Sequence, residues 1–110
     1  MEFDEEYWIE LIKEEYGYFR NCPVQTDAIC LAAIKQEWYM FRYVTDPSDE
    51  LKLAAINQHE YAIQFIDNPS DELIELAFEN TTVPDRLIQH LNANNIIVPL
   101  HLRLAHDRIQ

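Results

Sequence analysis

Residues 48–69, SDELKLAAINQHEYAIQFIDNP, set polar punctuation between apolar runs in a pattern that predicts two short helices. Ser48, after Pro47, is a good N-cap, and Asp49 and Glu50 fall in the first turn, where the helix dipole favours anions. Residues 51–56 are apolar except for Lys52, so this helix belongs inside a stack. The pattern breaks at residues 57–59, and Tyr61, Ala62, Phe65 and Ile66 then mark one face of a second helix that stops at Asn68-Pro69. Helices this short do not persist alone in water, so each pair must lean on something else.

The neighbouring copies supply it. Asp27, Leu31, Ala32, Ala33, Ile34, Gln36, Tyr39 and Pro47 recur 22 residues later as Asp49, Leu53, Ala54, Ala55, Ile56, Gln58, Tyr61 and Pro69. Self-similarity at a fixed period marks stacked supersecondary units, each unable to bury its apolar face by itself. The expectation is therefore an all-α fold of short αα-hairpin repeats, stacked as a small solenoid or a compact helical bundle. One domain spans residues 1–110, with units at about 4–25, 26–47, 48–69 and 70–91 and a C-terminal helix at about 98–109.

The copies decay toward both ends. Residues 4–16 read as an amphipathic helix with Trp8, Leu11, Ile12 and Tyr16 near one face, and Glu6, Glu10 and Glu14 in a like-charged row on the other. One period back, Lys13, Glu15, Tyr16, Phe19 and Arg20 match Lys35, Glu37, Trp38, Phe41 and Arg42, and the match fades before Lys13. A degenerate, polar first copy suits a solenoid cap. In the fourth copy Ser70, Asp71, Glu72, Leu73, Ala77, Phe78 and Asn80 keep the first helix. Thr82-Val83-Pro84-Asp85 then supplies a fresh N-cap for a later helix. Past residue 95, Val98, Leu100, Leu102 and Leu104 alternate as in a strand, but a lone strand would leave its backbone unpaired, and Pro99 at a first-turn position favours a helix.

The single glycine, Gly17, leaves few tight turns and agrees with helices. No apolar run reaches the ~18 residues of a membrane span, and the first residues carry no basic leader, so the expected address is cytosolic. Cys22 and Cys30 then read as reduced thiols, Cys22 standing where a later copy has Val44. The net charge of −12 is unevenly placed: residues 1–79 hold 18 acidic against 5 basic side chains, whereas residues 80–110 hold 2 against 3. Direct nucleic-acid binding is disfavoured, since it needs Lys and Arg to displace counterions, and a partner with a basic surface is favoured.

Aligning the copies separates core from surface. Ile34, Ile56 and Phe78 form one expected core row, and Tyr43, Phe65 and Leu87 another. The row Tyr16, Trp38, Glu60, Thr82 changes chemistry and should face solvent, where its aromatics could anchor an interface or plug the end of the core. Arg20, Arg42 and Arg86, with Gln64 between them, lie one period apart near Asp27, Asp49 and Asp71. Inter-repeat salt bridges or capped carbonyls are expected for them. The adjacent pairs Glu14-Glu15, Asp49-Glu50 and Asp71-Glu72 point to different sides of a helix and make no facing acid/base couple. His59, His90, His101 and His106 lack metal-ligand spacing and read as surface or capping residues, and Ser48 and Ser70 are already N-caps. No catalytic residue, metal or cofactor is expected.

Leu31, Ala33, Ile34, Lys35, Tyr43 and Val44, followed in the next copies by Asn68, Pro69, Ser70, Asp71 and Glu72, carry a pattern of the form L-x-A-[AV]-[IV]-K and N-P-S-[DE]-E. Over roughly residues 26–80 this resembles the short helical repeat family called domain of unknown function 4116. Asn57, where that family has lysine, departs from it, as does the last unit in its second helix. The resemblance implies an all-α stack in a viral, phage or host-associated bacterial setting and brings no catalytic residues. The function expected is non-enzymatic protein binding through an acidic and aromatic surface built from Tyr16, Trp38, Glu37, Glu60, Glu6, Glu10 and Glu14. The alternative is an inhibitor from a phage or mobile element, of the anti-CRISPR or anti-restriction type, acting in the host cytoplasm. It would mimic nucleic acid on a DNA- or RNA-handling enzyme.

Overall fold

A computed structural model describes residues 3–102. Four α-helices of 10 residues each, α1 (Glu5–Glu14), α2 (Asp27–Gln36), α3 (Asp49–Gln58) and α4 (Asp71–Asn80), start one period apart. The first unit is therefore complete in its backbone, although its sequence match fades before Lys13. Each helix begins on a side-chain cap at the same register: Asp4, Thr26, Ser48 and Ser70 accept from the N–H of Tyr7, Ile29, Leu51 and Leu73. Each cap satisfies one orphan donor, typically worth ~1 kcal/mol.

The second limb of the first three units is a 3-10 helix: η1 (Tyr16–Asn21), η2 (Trp38–Tyr43) and η3 (Glu60–Phe65). One extended residue, Glu15, Glu37 or His59, separates the limbs, and its N–H still closes on the carbonyl of Leu11, Ala33 or Ala55. That residue turns the chain, and the tighter helix folds back over the first. Linkers follow in which Asp46 and Asn68 hold φ of 51° and 49° before Pro47 and Pro69. Asp and Asn are the non-glycine residues that best tolerate this left-handed conformation.

The core is a set of columns running through the stack. Ile12, Ile34, Ile56 and Phe78 form one, Ala33, Ala55 and Ala77 a second, and Phe19, Phe41 and Ile63 a third, all buried. The alanine column lets α2, α3 and α4 approach closely. Of the other expected row only Leu87 is buried; Tyr43 and Phe65 are half-buried. α1 packs on α2, α2 on α3, α3 on α4, and η2 on η3. The result is a rod of 58 × 23 × 20 Å whose radius of gyration is 15.8 Å, against about 13 Å for a compact domain of this length. An open solenoid, rather than a closed bundle, accounts for these dimensions.

Polar ties join the units at their edges. The Gln25 side chain donates to the Tyr43 carbonyl and accepts from the Thr45 N–H, each at 2.8 Å, clamping one linker to the next. The Ser48 hydroxyl donates to Asp27, and the Asn80 amide donates to Asn57 and to the Ile56 carbonyl. The arginines behave differently from expectation: Arg20 lies 4.5 Å from the Tyr43 ring centroid and Arg42 5.7 Å from that of Phe65, so each stacks on a ring of the following unit.

The fourth unit is rebuilt. The chain runs from α4 into α5 (Pro84–Ala93), whose N-cap is Val83 without a side-chain bond; Thr81 Oγ1 instead accepts the Val83 N–H, and Pro84 opens the helix. α5 packs on η3 through the buried Leu87 and Leu91. Ile96 and Val98 are buried in a segment without regular structure, and residues 100–102 are helical. The expected C-terminal helix thus begins at 100, and its remainder lies outside the described residues. Among the described residues there is no strand, and no helix is long and apolar enough to cross a membrane. Cys22 and Cys30 are free; burial, followed by the nearby Asp27, pushes the Cys30 thiol up to about 11 and keeps it protonated.

If the columns carry the stability, Ile56→Ala lowers the free energy of unfolding by about 2–5 kcal/mol in urea titrations. Leu53→Ala, three residues away on the exposed side of the same helix, costs well under half as much.

Candidate functional site

The repeat register brings single aromatic residues into a continuous ribbon across the units. The Tyr16 and Tyr39 hydroxyls meet at 3.4 Å, and their rings stand edge to face. Tyr39 meets Trp38 edge on, Trp38 stacks on His59 with centroids 4.4 Å apart, His59 tilts against Tyr61, and Tyr61 stacks on His90 at 4.3 Å. Contributions come in chain order from η1, η2, the break before η3, η3 and α5. Tyr39 is exposed and the other five are half-buried, so the ribbon is packed on one side and open on the other.

Hydrogen bonds orient its members. His59 Nδ1 accepts from the Tyr61 N–H at 3.1 Å. The Glu60 carboxylate lies 3.9 Å from the same nitrogen and accepts from the Thr81 hydroxyl at 3.2 Å. The bond to Tyr16 pushes the Tyr39 phenol above its ordinary value. His90 Nε2 is buried without a hydrogen-bond partner among the described residues, and burial, helped by His59 nearby, holds its pKa below the usual histidine value.

The residues expected at the site divide into two groups. Tyr16 and Trp38 are in the ribbon, Glu60 adjoins it beside His59, and Glu37 is the extended residue that leads into Trp38. Trp38 packs against the core and on Phe65 yet stays partly open. Glu6, Glu10 and Glu14 lie on the exposed side of α1, where Glu10 pairs with Lys13 at 3.4 Å. Sequence reasoning passed over Tyr39, Tyr61, His59 and His90 as site members. The recurrence of Tyr39 as Tyr61 was a visible signal for two of them.

The remaining surface is chemically plain. A cleft of about 560 Å³ between residues 66–69 and 94–97 is lined by amides, Asp67, Asp71 and isoleucines, with no serine, cysteine, histidine or lysine. Among the described residues no group of three or more His, Cys, Asp or Glu is placed to hold a metal ion. His101 is exposed and pairs with Glu75 at 3.0 Å, while His106 lies outside the described residues.

A depressed folded pKa means the unfolded chain takes up the proton first, so neutral His90 contributes stability that is lost as pH falls below about 6.5. His90→Phe keeps the stack on Tyr61 and removes the titrating ring. Its thermal midpoint should fall less than that of the unsubstituted chain between pH 7.5 and 5.5, as read by circular dichroism. No protein-family model, curated protein or solved structure matches the chain.

Proposed function

We propose that the chain is a non-enzymatic helical-repeat protein that binds a protein partner with a basic surface through the aromatic ribbon. The observation that carries this reading is the ribbon itself: six rings from four units, edge- and face-packed on one another, each with area left open to solvent. Aromatic rings fixed by their neighbours lose little conformational freedom on binding, and such rings are typical interface anchors. The carboxylates of Glu15, Glu37 and Glu60 flank them, in a chain of net charge −12. That field speeds encounter with a cationic surface, and the ring faces accept a cation once it arrives. Glu6, Glu10 and Glu14 strengthen the field from α1 without joining the anchor.

Affinity capture from a host lysate followed by titration of the captured protein tests the reading. Tyr39→Ala, at the most open ring, should weaken binding by about tenfold with little loss of stability. Trp38→Ala should weaken it at least as much and also lower the unfolding midpoint. Affinity should decline with salt and survive excess duplex DNA. Indifference to both substitutions, or displacement by DNA, rejects the ribbon as the binding face; displacement would favour a carboxylate mimic of the phosphate backbone.

A further inference from the structure

The six tyrosines of the chain occupy unlike surroundings. Tyr7 and Tyr18 are open to solvent, 57% and 44% exposed. The Tyr43 ring lies under the guanidinium groups of Arg20 and Arg42, and Tyr61 packs against the imidazoles of His59 and His90. Among the described residues only Tyr16 and Tyr39 bring two phenols together. Their hydroxyls meet at 3.4 Å and their rings stand edge to face with centroids 6.4 Å apart. Tyr39, 36% exposed, leaves the pair accessible from solvent. The two residues are 23 positions apart and belong to η1 of the first unit and η2 of the second, so the contact spans a junction of the stack.

A phenol that gives up one electron and one proton becomes a radical whose unpaired electron is shared between the oxygen and the two ortho carbons. Each ortho carbon is bonded to the carbon that bears the hydroxyl, so hydroxyls in contact put ortho carbons of the two rings within reach of one another by a turn of the side chains. Two such radicals combine through a carbon–carbon bond between ortho positions, and each ring then returns its ortho hydrogen, as a proton, to its oxygen. Both phenols are restored, and the net loss is two electrons and two protons. Hydrogen peroxide acting through a haem peroxidase takes up all of them and leaves as two waters. We propose that Tyr16 and Tyr39 form an oxidative cross-linking site, at which an oxidant of this class joins the two rings and staples the first unit to the second. The position suits a staple: α2 packs on both α1 and α3, whereas α1 packs only on α2 and its own η1, so the first unit is the one most easily lost from the stack. A bond between residues so far apart also restricts the unfolded chain, as a disulfide closing a loop of that length does.

Treating the whole chain at low micromolar concentration with a haem peroxidase and one equivalent of hydrogen peroxide tests this. The main product should be a monomer lighter by two hydrogen masses, with the blue fluorescence of coupled phenols. Tryptic digestion should release residues 14–20 joined to residues 36–42, the peptides that carry Tyr16 and Tyr39. Tyr16→Phe and Tyr39→Phe, which keep the ring packing, should each abolish the joined peptide, whereas Tyr18→Phe and Tyr43→Phe should leave its yield unchanged. Unfolding the chain in urea before oxidation should cut that yield severalfold, because the contact exists only in the stack. The thermal midpoint should rise on oxidation by several degrees more than that of the Tyr39→Phe chain treated alike. Absence of the joined peptide, its persistence in the Tyr16→Phe chain, an equal yield from the unfolded chain, or no difference in midpoint would each overturn the proposal.

Discussion

A helix of 10 residues, about 15 Å long, cannot hold itself together in water, and every other feature of this protein follows from how that shortfall is met. Ile34 and Ala33 are fully buried because α1 and α3 lie on either side of α2. Remove either neighbour and the same side chains return to solvent, so each unit is stable only as a member of the series. Among the described residues the constraint is met without burying any charged side chain. Their acid load stays at least partly open to water, which screens it, and part of it sits in helix first turns at Glu5, Glu6, Asp27, Asp49, Glu50, Asp71 and Glu72. There the dipole offsets some of the mutual repulsion.

Stacking also converts sequence positions into spatial rows. A residue at one register meets its counterpart's neighbours in the next unit, which is how Arg20 comes to lie on Tyr43 and Arg42 on Phe65. The aromatic ribbon arises in the same way, but from different registers. Tyr39 and Tyr61 share one, Tyr16 and Trp38 another, and His59 takes the place that Glu15 and Glu37 hold in earlier units. The ribbon therefore changes character along the rod, phenolic at η1, indole at η2, and imidazole and phenol at η3 and α5. Its chemistry is graded along the rod rather than repeated as a motif.

How much of this could be read beforehand depended on whether identity or only pattern was kept. The column Ile34, Ile56 and Phe78 was legible because its members stay apolar in register. In the first unit the amphipathic helix over residues 4–16 was legible but the repeat match before Lys13 was not, since Trp8 replaces Cys30 and Ile9 replaces Leu31. Its cap Asp4 and buried Ile12 nevertheless keep their places, because capping and burial tolerate exchanges that break a residue match. The 3-10 character of the second limbs was hidden, as six residues with two apolar contacts fit either helix. The arginines were misread for a different reason. The first-turn carboxylates are near in sequence, whereas the rings they choose lie 23 residues ahead and become neighbours only in the stack. His59 and His90 were treated as isolated polar residues for want of that same tertiary knowledge.

The fourth unit shows what ends such a series. In a regular copy the second limb would start at residue 82, but Pro84 cannot donate a backbone hydrogen bond and favours a first-turn position, so the limb starts two residues late and runs as a full α-helix. Its apolar face, Leu87 and Leu91, closes on η3. The segment that follows buries Ile96 and Val98 and lies across a cleft from the linker at residues 66–69. An inner unit's cross-section is thus displayed at the N-terminal end, where Tyr7 and Tyr18 stand 57% and 44% exposed at positions that later units bury.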